Sequence, residues 1–486
     1  MTPPPIDLEA RARQAMIQAG FQPDFPADIT RELPTAPIAL TASPTKPVRD
    51  FRSLLWSSID NKESRDLDQI EYVERLPDGG LRLLIGIADV DAQVPKGSVI
   101  DLHAALNSTT VYTGVAIFPM LPLQLSTDAT SLLNDCDRSA MVIELHILDS
   151  GQVDCHDVYP AWTRNRAKLA YGTVGAWLQG QGPMPPAIAS VPGMEAQIRL
   201  QKETSDKLSG IRRRQGSLTF GSVEATPVVE NGVVKDLVIS QHNVAEDIIE
   251  RFMVAANVAM AQHLKERGLP SLRRVVKMPK RWDRIQAIAA QHGVKLPSAP
   301  DPKALADFLD GQRQADPDHF PDLSLAIVKL LGPGEYIVET PGQEHEGHFG
   351  LAVQDYTHST APNRRYADLV TQRLLKAVAA NASSPYSEVE LRQVAVHCTE
   401  REDAARKVER LMRKIAACDL LRQHIGETYD GIITGASSKG TFVRLLKLPA
   451  EGMVVRGAQG VDVGDKVRVQ LLSVDMNRGF IDFARK

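Results

Sequence analysis

The sequence predicts an α+β protein that ends in a small five-stranded barrel, and three observations predict it. Between Phe51 and Ile87, apolar runs of strand length alternate with polar turns, and Leu81 to Ile87 is nearly continuous, as in a strand covered on both faces. Ala245 to Leu264 carries one apolar face at helical spacing, and a Ser387-x-x-Glu390 capping box opens a second long helix to about His424. From Gly426 to Lys486, apolar runs between glycine turns give about five short strands.

Composition narrows the class. With 43% hydrophobic and 24% charged residues, the chain reads as an ordinary soluble protein of about two to four domains. A net charge of −4 means that any nucleic-acid site is a local basic channel and not a global field. Cys136, Cys155, Cys398 and Cys418 form no C-x-x-C, which excludes the common zinc and redox motifs and fits reduced thiols in a cytoplasmic protein. The start, MTPPPIDLEARARQ, has no basic apolar signal segment, and no run of about 18 apolar residues exists to span a membrane. A monomer without membrane partners is expected.

Residues 1–48 read as a small helical unit and linker, helix-turn-helix-like in outline. Ile6 to Ala19 suits an amphipathic helix stopped by Gly20, Pro26 to Ile29 starts a shorter one, and Pro34 to Pro47 reads as a linker. Residues 49–425 then form the main domain and 426–486 the barrel.

The most informative stretch runs from Phe51 to Asp91. Phe51 to Ile59 is expected as a buried strand ending on Asp60. After the polar loop NKESR, Asp66 and Asp68 open a second strand, and Pro77 to Gly80 turns it into a third. Residues two apart on a strand share a face, so Asp66 and Asp68 project together and Asp60 can join them. Carboxylates gathered beside a buried sheet repel one another, a strain that divalent cations relieve, and hard oxygen ligands suit magnesium.

This stretch resembles the signature of the ribonuclease II family, the RNB exoribonucleases, in which an I-D segment, a short loop and D-x-D-D supply a magnesium site. The resemblance runs from about Phe51 to the C-terminus. It implies a mixed sheet surrounded by helices, and it places Asp60, Asp66 and Asp68 at the first metal-ligand positions. The last position holds Gln69, which offers a neutral carbonyl oxygen and no charge. Relatives often carry cold-shock domains ahead of the catalytic domain; the short N-terminal unit stands in their place here, for RNA contact or for packing.

Further motifs follow in order. NSTTVYTGVAIFPMLPLQLS, residues 107–126, matches the family's T-x-Y and F-P-M-L-P elements. It implies that Tyr112 stacks on a base, a contact indifferent to sequence; core packing is the other reading. Leu145 to Pro160 reads as two strands around Ser150-Gly151, and Lys168-Leu169-Ala170-Tyr171 resembles the family's K-L-x-Y. Residues 179–193 read as a flexible surface insertion, and Ile211 to Phe220 (IRRRQGSLTF) as a basic turn leading into a strand. The helix from Ala245 resembles I-E-E-x-M-x-A-A-N, with Glu250 on the first acid and Arg251 on the second. A family Tyr–Glu pair that bonds ribose hydroxyls maps to Tyr171 and Glu250; the other reading of Glu250 is an exposed helix acid. Residues 270–340 read as helices with proline joints, and His345 and His348 as structural.

Thr360 to Tyr366 (TAPNRRY) resembles the family's T-S-P-I-R-K-Y, with Pro362 in the first turn of a helix through Leu375. The resemblance makes Arg364 the residue that stabilises charge on the scissile phosphate, with Arg365 as runner-up on the RNA. In the long helix, Glu409 takes the place of a family glutamate that influences turnover; pairing with Arg413 is its alternative. GETYDGIITGASSKGTFVRL and the closing VDMNRGFI look like an S1-type OB-fold, with Phe442 on RNA, Phe480 either outside or in the core, and Lys439 and Arg444 on the backbone. The implied activity is magnesium-dependent 3′→5′ hydrolysis of single-stranded RNA to nucleoside 5′-monophosphates. Gln69 alone supports a rival: a catalytically weak or inactive RNA-binding protein on the same scaffold.

Overall fold

A buried strand must find partners for its backbone groups along its whole length, and the longest described strand draws them from three others, a short one and two main ones. The computed structural model describes residues 7–33, 48–221, 225–230, 233–239, 242–317, 319–343, 345–437, 440–448 and 450–486. In it the strand Val153–Ala170 pairs first with Asp137–Ile147, antiparallel, and then with Trp56–Asp60, parallel, ending in the pair Ala170↔Asp60. The sheet order is Arg49–Asp50, Val153–Ala170, Trp56–Asp60, Gln69–Arg75, Leu81–Ala88, Asp137–Ile147, and the last strand pairs back to Val153–Ala170, so the mixed sheet curls round on itself. Leu81–Ala88 is buried at every position but Arg82, as its apolar run predicts.

Several local expectations need correction. The strand expected from Phe51 begins only at Trp56, because Leu54 N and Trp56 Nε1 both donate to Phe51 O (3.1 and 2.9 Å) and close a turn. Asp66 and Asp68 do not open the next strand; they lie in the extended segment before Gln69–Arg75. Ile211 to Arg214 is no basic turn but the last turn of the helix Met194–Gln215, where the arginines complement the helix dipole before Gly216 (φ +91°) ends it. Ser217 to Phe220 then run without strand structure. Within 179–193, Ile188 is buried on the short helix Pro186–Ala189, so this segment is seated on the body. Residues 270–340 hold a strand pair that the helical reading missed, Ser271–Val275 with Glu335–Glu339, beside helices Trp282–Gln291, Pro302–Ala315 and Phe320–Leu331.

The long helix Glu388–Leu421 joins the parts. Its capping box forms with both Ser387–Glu390 hydrogen bonds. Val408, Met412 and Ile415 pack against Leu8, Ala12 and Met16 of the N-terminal helix Leu8–Gln18, while Ala417, Cys418 and Leu421 enter the barrel core with Val469 and Phe483. The barrel closes in the order Thr428–Ser437, Gly440–Leu445, Glu451–Arg456, Phe480–Arg485, Lys466–Asp475. The linker expected over 34–47 lies outside the described residues. Among the described residues, no helix is long and apolar enough to cross a membrane, and Cys136, Cys398 and Cys418 are free.

His345 and His348, read as structural, both have close partners in the fold. His345 lies against Glu339 (3.3 Å) and Asp355 (3.5 Å). His348 accepts from Leu351 N through Nδ1 (3.1 Å) and meets Tyr356 edge to face. Burial, then the nearby Arg274 charge, pushes its imidazole down to about 4. The unfolded chain therefore binds the proton more readily than the folded one, and stability is lost as pH falls from about 6.5 towards 4. Urea melts are expected to show His348→Asn, which keeps a cap but does not titrate, losing about 2 kcal/mol less than wild type between pH 6.5 and 4.5.

Candidate active site

The site gathers where Trp56–Asp60 ends. Asp60 accepts from Asn61 N (2.6 Å) and Ser64 Oγ (2.9 Å), which turns the chain away from the sheet. The returning segment is clamped. Ser131 Oγ accepts from Leu67 N (3.0 Å) and donates to Arg65 O (2.7 Å), and Ala88 N donates to Asp68 O (2.9 Å). Asp66 is left half-buried and Asp68 only 2% exposed. Asp68 accepts from Asn363 N (2.9 Å) and lies 3.4 Å from Arg364 Nε. Burial pushes its carboxyl up to about 7 against the pull of Arg364, and burial raises Asp60 too. Two desolvated carboxylates with hard oxygens and one nearby guanidinium fit a divalent cation better than they fit each other.

Gln69 is buried as the first residue of its strand, opposite Ile87. Glu71, two residues on, escaped the sequence reading because one acid in an alternating strand looks like a solvated position. It is fully buried instead, with neither carboxylate oxygen hydrogen-bonded.

The opposite wall is the turn before the helix Tyr366–Ala379. Pro362 does not sit in that helix. It lies in the turn, and the helix begins only after Arg365, its N-cap. Asp368, buried in the first helical turn, accepts from Ala361 N (2.8 Å) and from Arg365 (2.7 Å), which folds the turn back. Thr130 Oγ1 donates to Asn363 Oδ1 (2.5 Å), and Thr110 N to Arg364 O (2.9 Å). The two arginines thus part: Arg364 reaches the acidic cluster with its side chain 45% exposed, while Arg365 turns inward onto Asp368.

Tyr112 is 40% exposed, its hydroxyl donating to Asp66 Oδ2 (3.3 Å) and its backbone N to Glu409 Oε1 (3.1 Å). Glu409 therefore positions the Tyr112 segment from the long helix. Tyr171 follows the Ala170↔Asp60 pair; burial, then Asp60, Glu71 and Glu246, drive its phenol up. Glu250 lies farther out, its side chain 62% exposed and 3.9 Å from His242, which also contacts Glu246 (2.9 Å). In the barrel, Phe442 is half-buried against Met453 and Phe480 is 53% exposed. Arg444 is held by Asp322 (3.0 Å) and so fastens the barrel to Phe320–Leu331; Lys439 lies outside the described residues.

Two groups of described residues bring three ligand atoms within 4.8 Å: His242, Asp247 and Glu250, and Glu339, His345 and Asp355. Lys265 and Arg273 already neutralise the second. Asp60, Asp66 and Asp68 are more widely spread, across two chain segments.

Asp368 supports the whole wall. In urea denaturation, Asp368→Ala is expected to cost about 3–5 kcal/mol, because Arg365 is left buried without its partner. The double variant Asp368→Leu/Arg365→Leu is expected to recover most of that.

Comparison with known proteins places this architecture. The sequence model of the RNB domain matches residues 48–381, and that of the RNase II-type exonuclease C-terminal S1 domain matches residues 427–486. Ribonuclease R of Thermotoga maritima is 28% identical over 496 residues, spanning 95% of this chain and 68% of that protein. Ribonuclease R of Escherichia coli is 28% identical over 472 residues, spanning 90% of this chain and 57% of that protein. The chain thus covers between 57% and 68% of these relatives' length. Mycoplasma genitalium RNase R, solved with double-stranded RNA, shares the fold at a TM-score of 0.87 and 22% identity, over 99% of this chain and 78% of that one.

Proposed function

This chain belongs to the RNB family, and we propose that it is a 3′→5′ exoribonuclease that hydrolyses single-stranded RNA to nucleoside 5′-monophosphates with magnesium as its cation. One observation carries the reading: the buried Asp68 carboxylate is held between Asn363 N and Arg364, beside Asp60 and Asp66. Asp60, Asp66 and Asp68 would hold the ion, with Gln69 offering a neutral oxygen. When bound, it supplies Lewis acidity to the scissile phosphate and to the attacking water.

The chain's own residues do the rest. Water adds to phosphorus and the P–O3′ bond breaks; the shortened RNA keeps a 3′-hydroxyl, and the released nucleotide keeps the phosphate on its 5′-oxygen. Arg364, held beside Asp68 with its side chain partly exposed, neutralises charge growing on the phosphoryl oxygens. Tyr112, steadied by Asp66 and Glu409, stacks on a base. Tyr171 reads the 2′-hydroxyl with Glu250, which lies one helical turn from Glu246 on the face that His242 touches. Arg365 acts on RNA only through the turn it braces. Phe442, with the more exposed Phe480, offers stacking surface on the barrel. The same reading takes the chain as a cytoplasmic monomer, and its free thiols suit a reducing compartment. The inactive-scaffold reading rests on Gln69 alone, and the retained carboxylates with Arg364 weigh against it.

A 5′-labelled RNA and its DNA counterpart, with magnesium or EDTA, test this on a sequencing gel. A magnesium-dependent ladder shortening from the 3′ end of RNA alone is expected, and Asp68→Asn is expected to slow it at least 100-fold while RNA is still bound. Intact RNA that is shifted in a binding gel would instead support the inactive scaffold.

A further inference from the structure

We propose that a cavity beside the strand Val153–Ala170 binds a nucleoside 5′-monophosphate, the class of product that the cleavage site releases, and that its occupancy slows cleavage. That the ligand is the reaction's product rests on the exoribonuclease reading; the cavity's chemistry stands without it. The cavity holds about 540 Å³, within the range of small-molecule sites. Arg166 and Lys168 line it, with Asp135 as the only carboxylate among its lining residues. The ladder slips at Arg166: Asn165 pairs with Trp56 and Ala167 with Ser57, so Arg166 has no residue opposite it on Trp56–Asp60 and lines the cavity instead.

Neither cation has a carboxylate partner among the described residues. Each donates to backbone oxygens: Arg166 Nη2 to Arg52 O (2.5 Å), and Lys168 Nζ to Lys62 O (3.4 Å) and Ser64 O (2.5 Å). The nearby acids are engaged elsewhere. Asp137 holds Arg52 and Arg164, and Asp135 accepts from Asn134 Nδ2 (2.7 Å). A guanidinium has five N–H donors and an ammonium three, so both side chains keep donors to give. Two such groups in one cavity suit a phosphate. Ala187, Val191 and Pro192 add an apolar wall for a base. A pair of cations matches a single phosphate, whereas an RNA strand needs a row of them. The cavity is also tied to the cleavage site. Lys168 pairs with Ser58 and Ala170 with Asp60 in parallel register, which puts Lys168 on the Asp60 face of the sheet. The carbonyls that Lys168 holds belong to the loop after Asp60, and Ser64 Oγ donates to Asp60 (2.9 Å). A phosphate that draws on this ammonium loosens the loop, so bound product slows the next turnover.

Binding of adenosine 5′-monophosphate, adenosine and inorganic phosphate to the full-length chain is measured by calorimetry in EDTA, and RNA cleavage in magnesium is followed at rising nucleotide. Wild type and Asp68→Asn are expected to bind the nucleotide alike, and Arg166→Gln about tenfold more weakly. Ala187→Phe, which fills the cavity and keeps both cations, is expected to weaken binding as well. The nucleotide is expected to slow cleavage by wild type, while Arg166→Gln, as active as wild type without nucleotide, resists it. No binding to wild type, equal binding in Arg166→Gln, or adenosine or phosphate binding as tightly as the nucleotide overturns the pocket. Equal slowing of wild type and Arg166→Gln overturns the link to Asp60. Nucleotide that binds through Arg166 to a chain that cuts no RNA supports the pocket and overturns the exoribonuclease reading instead.

Discussion

Asp68 is a carboxylate with almost no access to water, and everything in the site depends on how it is held. Its oxygens face Asn363 N and Arg364 Nε, from a turn far along the chain. That contact ties the loop ahead of the second strand to the turn ahead of the helix Tyr366–Ala379. It sets the distance between the acidic side of the site and its one cationic side chain from that turn. The turn is in turn fixed from beneath by Asp368 and from the side by Thr110 and Thr130. Local interactions alone would leave a carboxylate and a guanidinium free to drift; buried hydrogen bonds from three segments hold them in place.

Much of this was legible in the sequence. Apolar runs on both sides of Asp60, Asp66 and Asp68 marked acids that could not all be solvated, and the barrel announced itself through glycine turns and alternating strands. The capping box at Ser387 located the start of the long helix to the residue, and its end, expected near His424, falls at Leu421. What escaped depended on tertiary contacts. The turn at Phe51 is made by a tryptophan N–H, not by a turn residue. Three arginines in a row suggested a loop, yet they close a helix. The family motif ranked Arg364 above Arg365 without a physical reason; the buried Asp368 supplies one, turning Arg365 inward while Arg364 faces Asp68. Phe480 stands more exposed than Phe442, although strand alternation alone left it open.

The long helix explains how distant parts serve one site. It carries Glu409 to the Tyr112 backbone, packs the N-terminal helix along the same stretch, and ends inside the barrel core. A second fastening, Arg444 to Asp322, holds the barrel from the other side. Arg444 and Glu409, expected on RNA and in turnover, thus act on the fold by fixing the barrel and the Tyr112 segment.

The central claim is that a divalent cation sits among Asp60, Asp66 and Asp68. The most direct measurement is anomalous diffraction at the manganese edge from crystals soaked in Mn2+. The account predicts a strong peak bounded by those carboxylates, facing Arg364. A peak only at His242, Asp247 and Glu250, with none beside Asp68, would contradict it.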